Sequence, residues 1–259
     1  MLLYRVISAV VGIPLLLFFL WQGEEILLLA LSLLIFLAMR EIRYLLEKSG
    51  IKIFFVPALV GAWLLLWGSG YVGWPLSPLV ALVVAAVLAM TVFYFPRVTI
   101  AEVGGTLLAI FYAGWTLTHF YLLRQGEDGF ARLLFLLVTI WTTDIMAYFV
   151  GRAVGRHKLA PPLSPGKTWE GLLGGMAGAV VAAEIFNRFH PVGSTGEVIT
   201  TAALIAFLGQ VGDLFESALK RMAGVKDSGR LIPGHGGVLD RFDSLFFVLP
   251  LFYYFFPGQ

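Results

Sequence analysis

Apolar residues run along this chain in nine long blocks, each closed by a short polar, glycine or proline break. A helix that crosses a bilayer needs about 20 mostly apolar residues at about 1.5 Å rise each. By that measure the blocks predict helices near 5–21, 25–46, 53–68, 77–95, 104–123, 131–151, 169–187, 198–220 and 241–257. The breaks are Gly23, Ser49-Gly50, Gly68-Ser69-Gly70, Pro96, Gln125-Gly126, Pro161-Pro162 and Gly193-Ser194, residue types that punctuate helices. Pro250 interrupts the last block. The expected fold class is all-α, a polytopic transmembrane helical bundle of about nine spans, with no internal repeat and no separate soluble domain.

Composition makes lipid the expected solvent. Of 259 residues, 59% are hydrophobic and 13% charged, and the mean hydropathy is +0.88. Soluble domains carry about 25% charged residues, so this chain lacks the polar surface to coat a water-soluble globule. The absence of cysteine excludes disulfides, thiolate metal sites and cysteine nucleophiles. The first block has no small-x-small cleavage site and reads as a retained helix rather than a removed signal peptide. With the N-terminus placed inside, alternate connections collect fifteen of the eighteen Lys and Arg on the cytoplasmic side, and only Arg124, Arg132 and Arg188 fall outside. Cations bias loops to the cytoplasm, so the expected orientation is N-terminus in, C-terminus out, most simply in a bacterial inner membrane. A net charge of +2 gives no sign of a nucleic-acid partner.

Two cytoplasmic connections are far richer in polar residues than the others. One joins spans six and seven, 151–170; the other joins eight and nine, from Lys220 to Asp243, and together they hold nine of the cations. Within the spans, Asp144, Glu184, Asp213 and Glu216 stand out. An aspartate at mid-bilayer costs roughly 2.5–3.5 kcal/mol and so needs a partner or a wet cavity. Glu184 is expected to pair with Arg188 one turn on. Asp144 lies seven residues before Gly151 and Asp213 seven before Lys220, which sets both carboxylates about 10 Å below one rim. Asp213, Glu216, Ser217 and Lys220 share a helix face, and a buried acid–cation lock between helices is the structural alternative for them. Asp240 and Asp243, three apart, open the last helix. Beside the intramembrane acids they suggest a hard, oxygen-bound cation, and Mg²⁺ suits carboxylate plus phosphate ligation. Zinc is disfavoured without cysteine or a spaced histidine pair.

Phosphate-handling parts surround these acids. Ser164-Pro165 reads as an N-cap followed by proline at the first helical position, which would offer free N–H groups to an anion at the start of span seven. Lys167 adds a point charge. Gly166-Lys167-Thr168 is not a P-loop, because Pro161 stands where the first glycine belongs and no strand is expected before it. Gly234-His235-Gly236-Gly237 permits close backbone approach, and Lys220, Arg221, Lys226 and Arg230 can neutralise phosphates, although positive-inside bias alone also accounts for such cations.

The run Ser217-Ala218-Leu219-Lys220-Arg221, four residues, then Lys226-Asp227-Ser228-Gly229-Arg230-Leu231-Ile232-Pro233-Gly234-His235-Gly236-Gly237-Val238-Leu239-Asp240-Arg241-Phe242-Asp243 resembles the signature of the phosphatidate cytidylyltransferases, or CDP-diacylglycerol synthases. Asp144-x-x-Ala147-Tyr148 and 164–171 resemble further segments of that family, so the match covers roughly 144–244; Thr143 stands where the family often has Asn. The resemblance implies transfer of the cytidylyl group of CTP to phosphatidate, giving CDP-diacylglycerol and pyrophosphate for phospholipid synthesis, with Mg²⁺ and room for a second cation. It implies metal ligation by Asp213, Asp240 and Asp243, with Asp144 and Asp227 in reserve. Ser164, Lys167, Thr168 and Lys226 are expected to hold the triphosphate, and Lys220, Arg221 or Arg241 the lipid phosphate. Ser217, His235, Gly236 and Gly237 complete the expected substrate-binding set. Residues 1–130 would then be N-terminal membrane helices and 131–259 a catalytic membrane region with two cytoplasmic loops. Because phosphatidate is itself a nucleophile, positioning and charge neutralisation suffice and no protein nucleophile is required.

Two other classes meet the composition less well. A CDP-alcohol phosphotransferase needs an Asp-Gly-x-x-Ala-Arg run, which is absent. A cation-coupled transporter predicts acids near mid-span and two related halves, whereas here the acids lie toward one face and no halves repeat. A homodimer is left open by the sequence.

Overall fold

The computed structural model describes residues 2–231 and 236–256, with side chains from Val10 onward. The element order is α1 (Leu2–Gln22), α2 (Glu24–Lys48), α3 (Phe55–Gly70), α4 (Leu76–Tyr94), α5 (Ile100–Ala109), a π-helical turn (Ile110–Trp115), α6 (Thr116–Gln125), α7 (Gly129–Val154), β1 (Lys158–Ala160), β2 (Ser164–Thr168), α8 (Trp169–Phe189), α9 (Thr195–Met222) and α10 (Leu239–Phe255). Each apolar block falls on a helix, the fifth on α5, the π turn and α6 in one continuous run.

Among the described residues, five helical segments are both long and apolar enough to cross a membrane: Leu76–Tyr94, Ile100–Gln125, Gly129–Val154, Trp169–Phe189 and Thr195–Met222. Three other blocks fall short of that measure for identifiable reasons. α3 has 16 residues and α10 has 17, while α2 has 25 but includes Glu24, Glu25, Arg40, Glu41, Arg43, Glu47 and Lys48. The outward surface is apolar as well. Leu82, Leu88, Val92 and Phe93 of α4 all stand more than half exposed, far more contiguous apolar surface than a water-soluble monomer presents. This is a membrane protein.

One hairpin interrupts the helices of the described residues. Lys158–Ala160 and Ser164–Thr168 form an antiparallel hairpin, pairing Lys158 with Thr168 and Ala160 with Ser164. Ser164 was expected to cap the next helix; the cap is instead Thr168, whose hydroxyl accepts the Gly171 N–H at 3.1 Å. Thr and Ser both favour this position, and β2 takes up the five residues 164–168. Pro165 is tolerated because a two-stranded ribbon consists of edges.

The chain divides into two compact units, Met1–Gln125 with Leu219–Phe242, and Gly126–Ala218 with Asp243–Gln259. The first therefore takes in the 219–242 segment that the sequence grouped with the C-terminal half. Its core is built on Leu28, Ile35, Met39, Leu65, Leu66, Ile110 and Phe120, all essentially inaccessible. The Trp63 and Trp67 indoles of α3 donate to the carbonyl and hydroxyl of Ser32 on α2. Arg124 donates to Leu20 O at 2.6 Å and Trp21 O at 3.2 Å, meeting carbonyls that the end of α1 leaves without helical partners.

In the second unit a small-residue stripe sets the spacing of α7 and α8. Gly171, Gly174, Gly175 and Gly178 recur at three- and four-residue steps, on one face of α8. A Cβ on Gly171 would come 2.8 Å from Ala147 O, one on Gly174 2.6 Å from Val150 Cβ, and one on Gly175 2.9 Å from Thr143 O. Only hydrogen fits at these positions, and the backbones approach closely, as small-xxx-small stripes permit between membrane helices. That approach brings the 143–151 stretch of α7 beside the start of α8.

Candidate active site

In the second unit, Asp144 on α7, Lys167 on β2, Asp213 on α9 and Asp243 on α10 form one electrostatic cluster. Lys167 Nζ lies 2.7 Å from Asp213 Oδ2, with both side chains mostly buried. The charges of Asp213, Asp144 and Lys167 all act on Asp243, whose Oδ1 accepts the Ser244 N–H at 2.7 Å. Gln210, one turn before Asp213, stands 3.4 Å from Asp144 Oδ1, and Ser217 Oγ stands 3.4 Å from Asp213 Oδ1. A cavity of about 500 Å³ opens among Asp144, Tyr148, Arg152, Lys167, Gln210 and Asp213, with Ser164 and Thr168 also on its wall. The structure thus brings Asp144, Asp213, Asp243 and Lys167 together.

The hairpin delivers Lys167 to that place. Glu170, in the first turn of α8, accepts from the backbone N–H groups of Arg156 and His157 at 3.1–3.2 Å and meets His157 Nδ1 at 2.6 Å. Trp169 N–H donates to His157 O at 2.9 Å. Both ends of the hairpin are therefore tied at its base. Thr168 is buried and spends its hydroxyl on the α8 cap, so it shapes the wall more than it can ligate an anion.

The remaining expected residues belong to the first unit, where they build a clasp. Asp240 Oδ1 receives Lys220 Nζ at 2.6 Å, and Oδ2 accepts from Ser228 N at 2.9 Å, Ser228 Oγ at 2.8 Å and Gly237 N at 2.8 Å. Burial works against the charge on Asp240, which lies ahead of the apolar run. The Lys220 ammonium, the Gly237 N–H and the Ser228 hydroxyl outweigh burial and hold the carboxyl below its ordinary range. Gly236 has φ of 82°, a left-handed conformation natural to glycine, and a Cβ there would lie 2.6 Å from Asp240 Oδ2. Asp227 and Lys226 are exposed, and Arg221 donates to Val225 O at 3.1 Å. Arg241 is exposed on the first turn of α10. His235 lies outside the described residues.

Sequence reasoning missed the residue that closes this clasp. Glu41 of α2 is 8% exposed. Its carboxylate accepts Val238 N at 2.8 Å, Leu239 N at 2.9 Å and the Ser228 hydroxyl at 2.9 Å. Gly229 and Gly237 pack directly on it, and a Cβ on Gly229 would come 2.7 Å from Glu41 Oε1. The one available signal was a carboxylate among the cations Arg40, Arg43 and Lys48, where a plain interfacial belt would be basic throughout. Another expectation fails in the opposite sense. Among the described residues, Glu184 Oε1 is buried without a hydrogen-bond partner and forms no ion pair with Arg188 despite their spacing.

The donor set of the second unit suits a hard divalent cation. It offers three carboxylates and an amide oxygen, with no sulfur or imidazole, which are the ligand types Mg²⁺ takes. Among the described residues no three acidic or histidine side chains converge as a complete metal cage. Mg²⁺ is ordinarily held by one or two carboxylates together with substrate phosphates and water, so a partial protein shell matches that chemistry.

The fold and these two clusters define a helical membrane protein equipped to handle phosphate groups. Comparison with known proteins gives its family: the chain matches the cytidylyltransferase family model over residues 3–257 and belongs to that family. Proteins named phosphatidate cytidylyltransferase are similar to it along most of its length. That of Staphylococcus epidermidis is 36% identical over 255 residues, 95% of this chain and 96% of that protein. That of Bacillus subtilis is 40% identical over 221 residues, 81% and 82% of the two chains. That of Brucella abortus is 48% identical over 147 residues, covering 56% of this chain and 54% of its own length.

Proposed function

We propose that this protein is a phosphatidate cytidylyltransferase: a phosphate oxygen of phosphatidate attacks the α-phosphorus of CTP, the bond from that phosphorus to the β-phosphate bridging oxygen breaks, and CDP-diacylglycerol and pyrophosphate result. The observation that carries this reading is the set of Asp144, Asp213 and Lys167 around one cavity, with their charges acting on Asp243, in a chain whose family transfers cytidylyl groups. The names of its relatives support phosphatidate as the acceptor.

Lys167 neutralises the triphosphate and, once a nucleotide binds, exchanges its Asp213 partner for phosphate oxygens. Asp144, Asp213 and Asp243 would hold Mg²⁺, which supplies charge neutralisation at the reacting and leaving phosphates. Ser164 and Arg152 line the same cavity and add a hydroxyl and a guanidinium for phosphate contacts. Asp240 and Asp227, the other acids of the signature, belong to the first unit, where Asp240 is already bonded to Lys220, Ser228 and Gly237; one or two carboxylates of the second unit, with substrate phosphate, would hold the cation. All nine helical segments span the membrane, the N-terminus is cytoplasmic, and the cavity faces the cytosol, where CTP arrives. The setting is a bacterial inner membrane, in agreement with the bacterial relatives.

The test is direct. Liposomes carrying the purified protein, phosphatidate and radiolabelled CTP should yield a lipid-soluble cytidine product, and chelation of Mg²⁺ should stop it. Solute uptake with no such product would favour a transporter instead.

A further inference from the structure

A cavity of about 790 Å³ belongs to the first unit and is walled by α2 and the 225–231 segment. Arg40, Lys226 and Arg230 line it, all three are exposed, and none has a carboxylate at ion-pair distance among the described residues. Two acids also line the cavity. Glu41 turns its oxygens onto Ser228, Val238 and Leu239, so only Asp227 offsets the three cations. An open pocket with surplus positive charge selects a phosphate group, and arginine is the side chain best shaped to grip one in a bidentate manner.

The wall of this pocket continues as an apolar track. Ile26, Leu29 and Leu33 of α2 are exposed, Leu37 and Tyr44 line the pocket itself, and with Arg40 they recur at steps of three and four residues on one helix face. From Ile26 to Leu37 the track is about 16 Å long, roughly one leaflet's share of a hydrocarbon core of about 30 Å. Free nucleotide has no use for such a track; a lipid does.

We propose that this pocket and track form the acceptor-lipid site: Arg40, with Arg230 and Lys226, binds the phosphomonoester of a membrane lipid whose acyl chain lies along Ile26, Leu29 and Leu33. This rests on the reading of phosphatidate as the acceptor. It moves Lys226 from the triphosphate to the lipid phosphate, and it brings in Arg40, which lies well outside the signature.

Steady-state kinetics in vesicles, with phosphatidate and CTP varied separately, tests the assignment on full-length Arg40→Gln and Arg230→Gln. Each variant should raise the KM for phosphatidate roughly tenfold or more, the loss expected for a charge-assisted phosphate contact, and leave the KM for CTP and the unfolding midpoint unchanged. A rise in the KM for CTP instead would give the pocket to the nucleotide, and no change in either would remove it as a binding site; both outcomes overturn the inference. A second readout needs no turnover. With CTP withheld, a photoactivatable phosphatidate should label the 24–48 peptide more than the matching phosphatidylcholine probe does, and equal labelling would overturn the site. Should the unmodified protein form no cytidine lipid at all, the proposed function fails; product formation with unaltered variants fails the lipid site alone.

Discussion

Carboxylates serve opposite ends in the two units. In the second, the charges of Asp144 and Asp213 act on Asp243, and Asp213 meets the Lys167 ammonium at 2.7 Å and the Ser217 hydroxyl at 3.4 Å. In the first, Glu41 and Asp240 share the Ser228 hydroxyl and together accept backbone N–H groups from Ser228, Gly237, Val238 and Leu239. Clustered like charges are costly unless a cation joins them, and in the second unit the Lys167 ammonium lies among the acids. Hydrogen-bonded carboxylates are satisfied where they stand and hold a loop. What differs is the partner: the acids of the second unit are grouped with one another and with Lys167, those of the first with backbone N–H groups.

Substitution should separate the two kinds of acid. The largest effect is expected from Asp213→Asn, which removes charge at the cavity without changing shape. Turnover should fall by roughly 10²–10³ or more, the range seen when one element of transition-state charge stabilisation is lost, with the unfolding midpoint preserved. Activity near that of the unmodified protein, at any Mg²⁺ concentration, would take Asp213 out of the reaction centre. Lys167→Ala comes next. It should raise the KM for CTP roughly 10-fold to 100-fold, as removal of a charged hydrogen bond does, and leave the KM for phosphatidate alone. If both constants shift together, Lys167 positions Asp213 rather than binding nucleotide.

The helices were legible because most are long apolar runs, and nothing in tertiary structure competes with that signal in lipid. Asp144 and Asp213 were legible for the same reason: a charge surrounded by leucine, isoleucine and phenylalanine has few structural excuses. The hairpin was not. In 164–168, Ser164, Pro165 and Thr168 are all credible helix-start residues, and only the Glu170 tie back to 156–157 selects Thr168. Glu41 was hidden by distance, since Ser228 is 187 positions away along the chain and no local period links them. Spacing misled at Glu184, where an i,i+4 partner exists in sequence but not in space. The glycine stripe of α8 stood in plain view as Gly171, Gly174, Gly175 and Gly178, yet the helix it faces becomes evident only in three dimensions.

Glu41 gives the sharpest test of the clasp. Glu41→Ala leaves Val238 N–H, Leu239 N–H and the Ser228 hydroxyl without their acceptor in a buried place, and each unmet group costs about 1–3 kcal/mol. The unfolding midpoint in detergent should therefore fall, by about 2–4 °C for each kcal/mol in a chain of this size. Glu41→Gln keeps one acceptor oxygen and should recover part of the loss. The contrast with Asp213→Asn is the point: loss of activity with loss of stability at Glu41, loss of activity alone at Asp213. An Asp213 variant that melts as early as Glu41→Ala would erase the distinction between the two sets of acids.

The smallest effect is expected where a charged contact backs up a backbone one. His157 meets Glu170 at 2.6 Å, but its ring is largely exposed, and exposed ion pairs add little in water. The hairpin base keeps the Trp169 N–H to His157 O bond and the two backbone N–H bonds to Glu170 when the imidazole is removed. His157→Ala should accordingly change kcat and both KM values by less than about fivefold, the most that a surface pair contributes. Glu170→Gln weakens the same base at three contacts at once and should raise the KM for CTP more, because Lys167 then loses its fixed approach to the cavity. A His157 effect as large as that of Lys167→Ala would mean that the imidazole itself, and not the backbone of the hairpin, sets where the ammonium points.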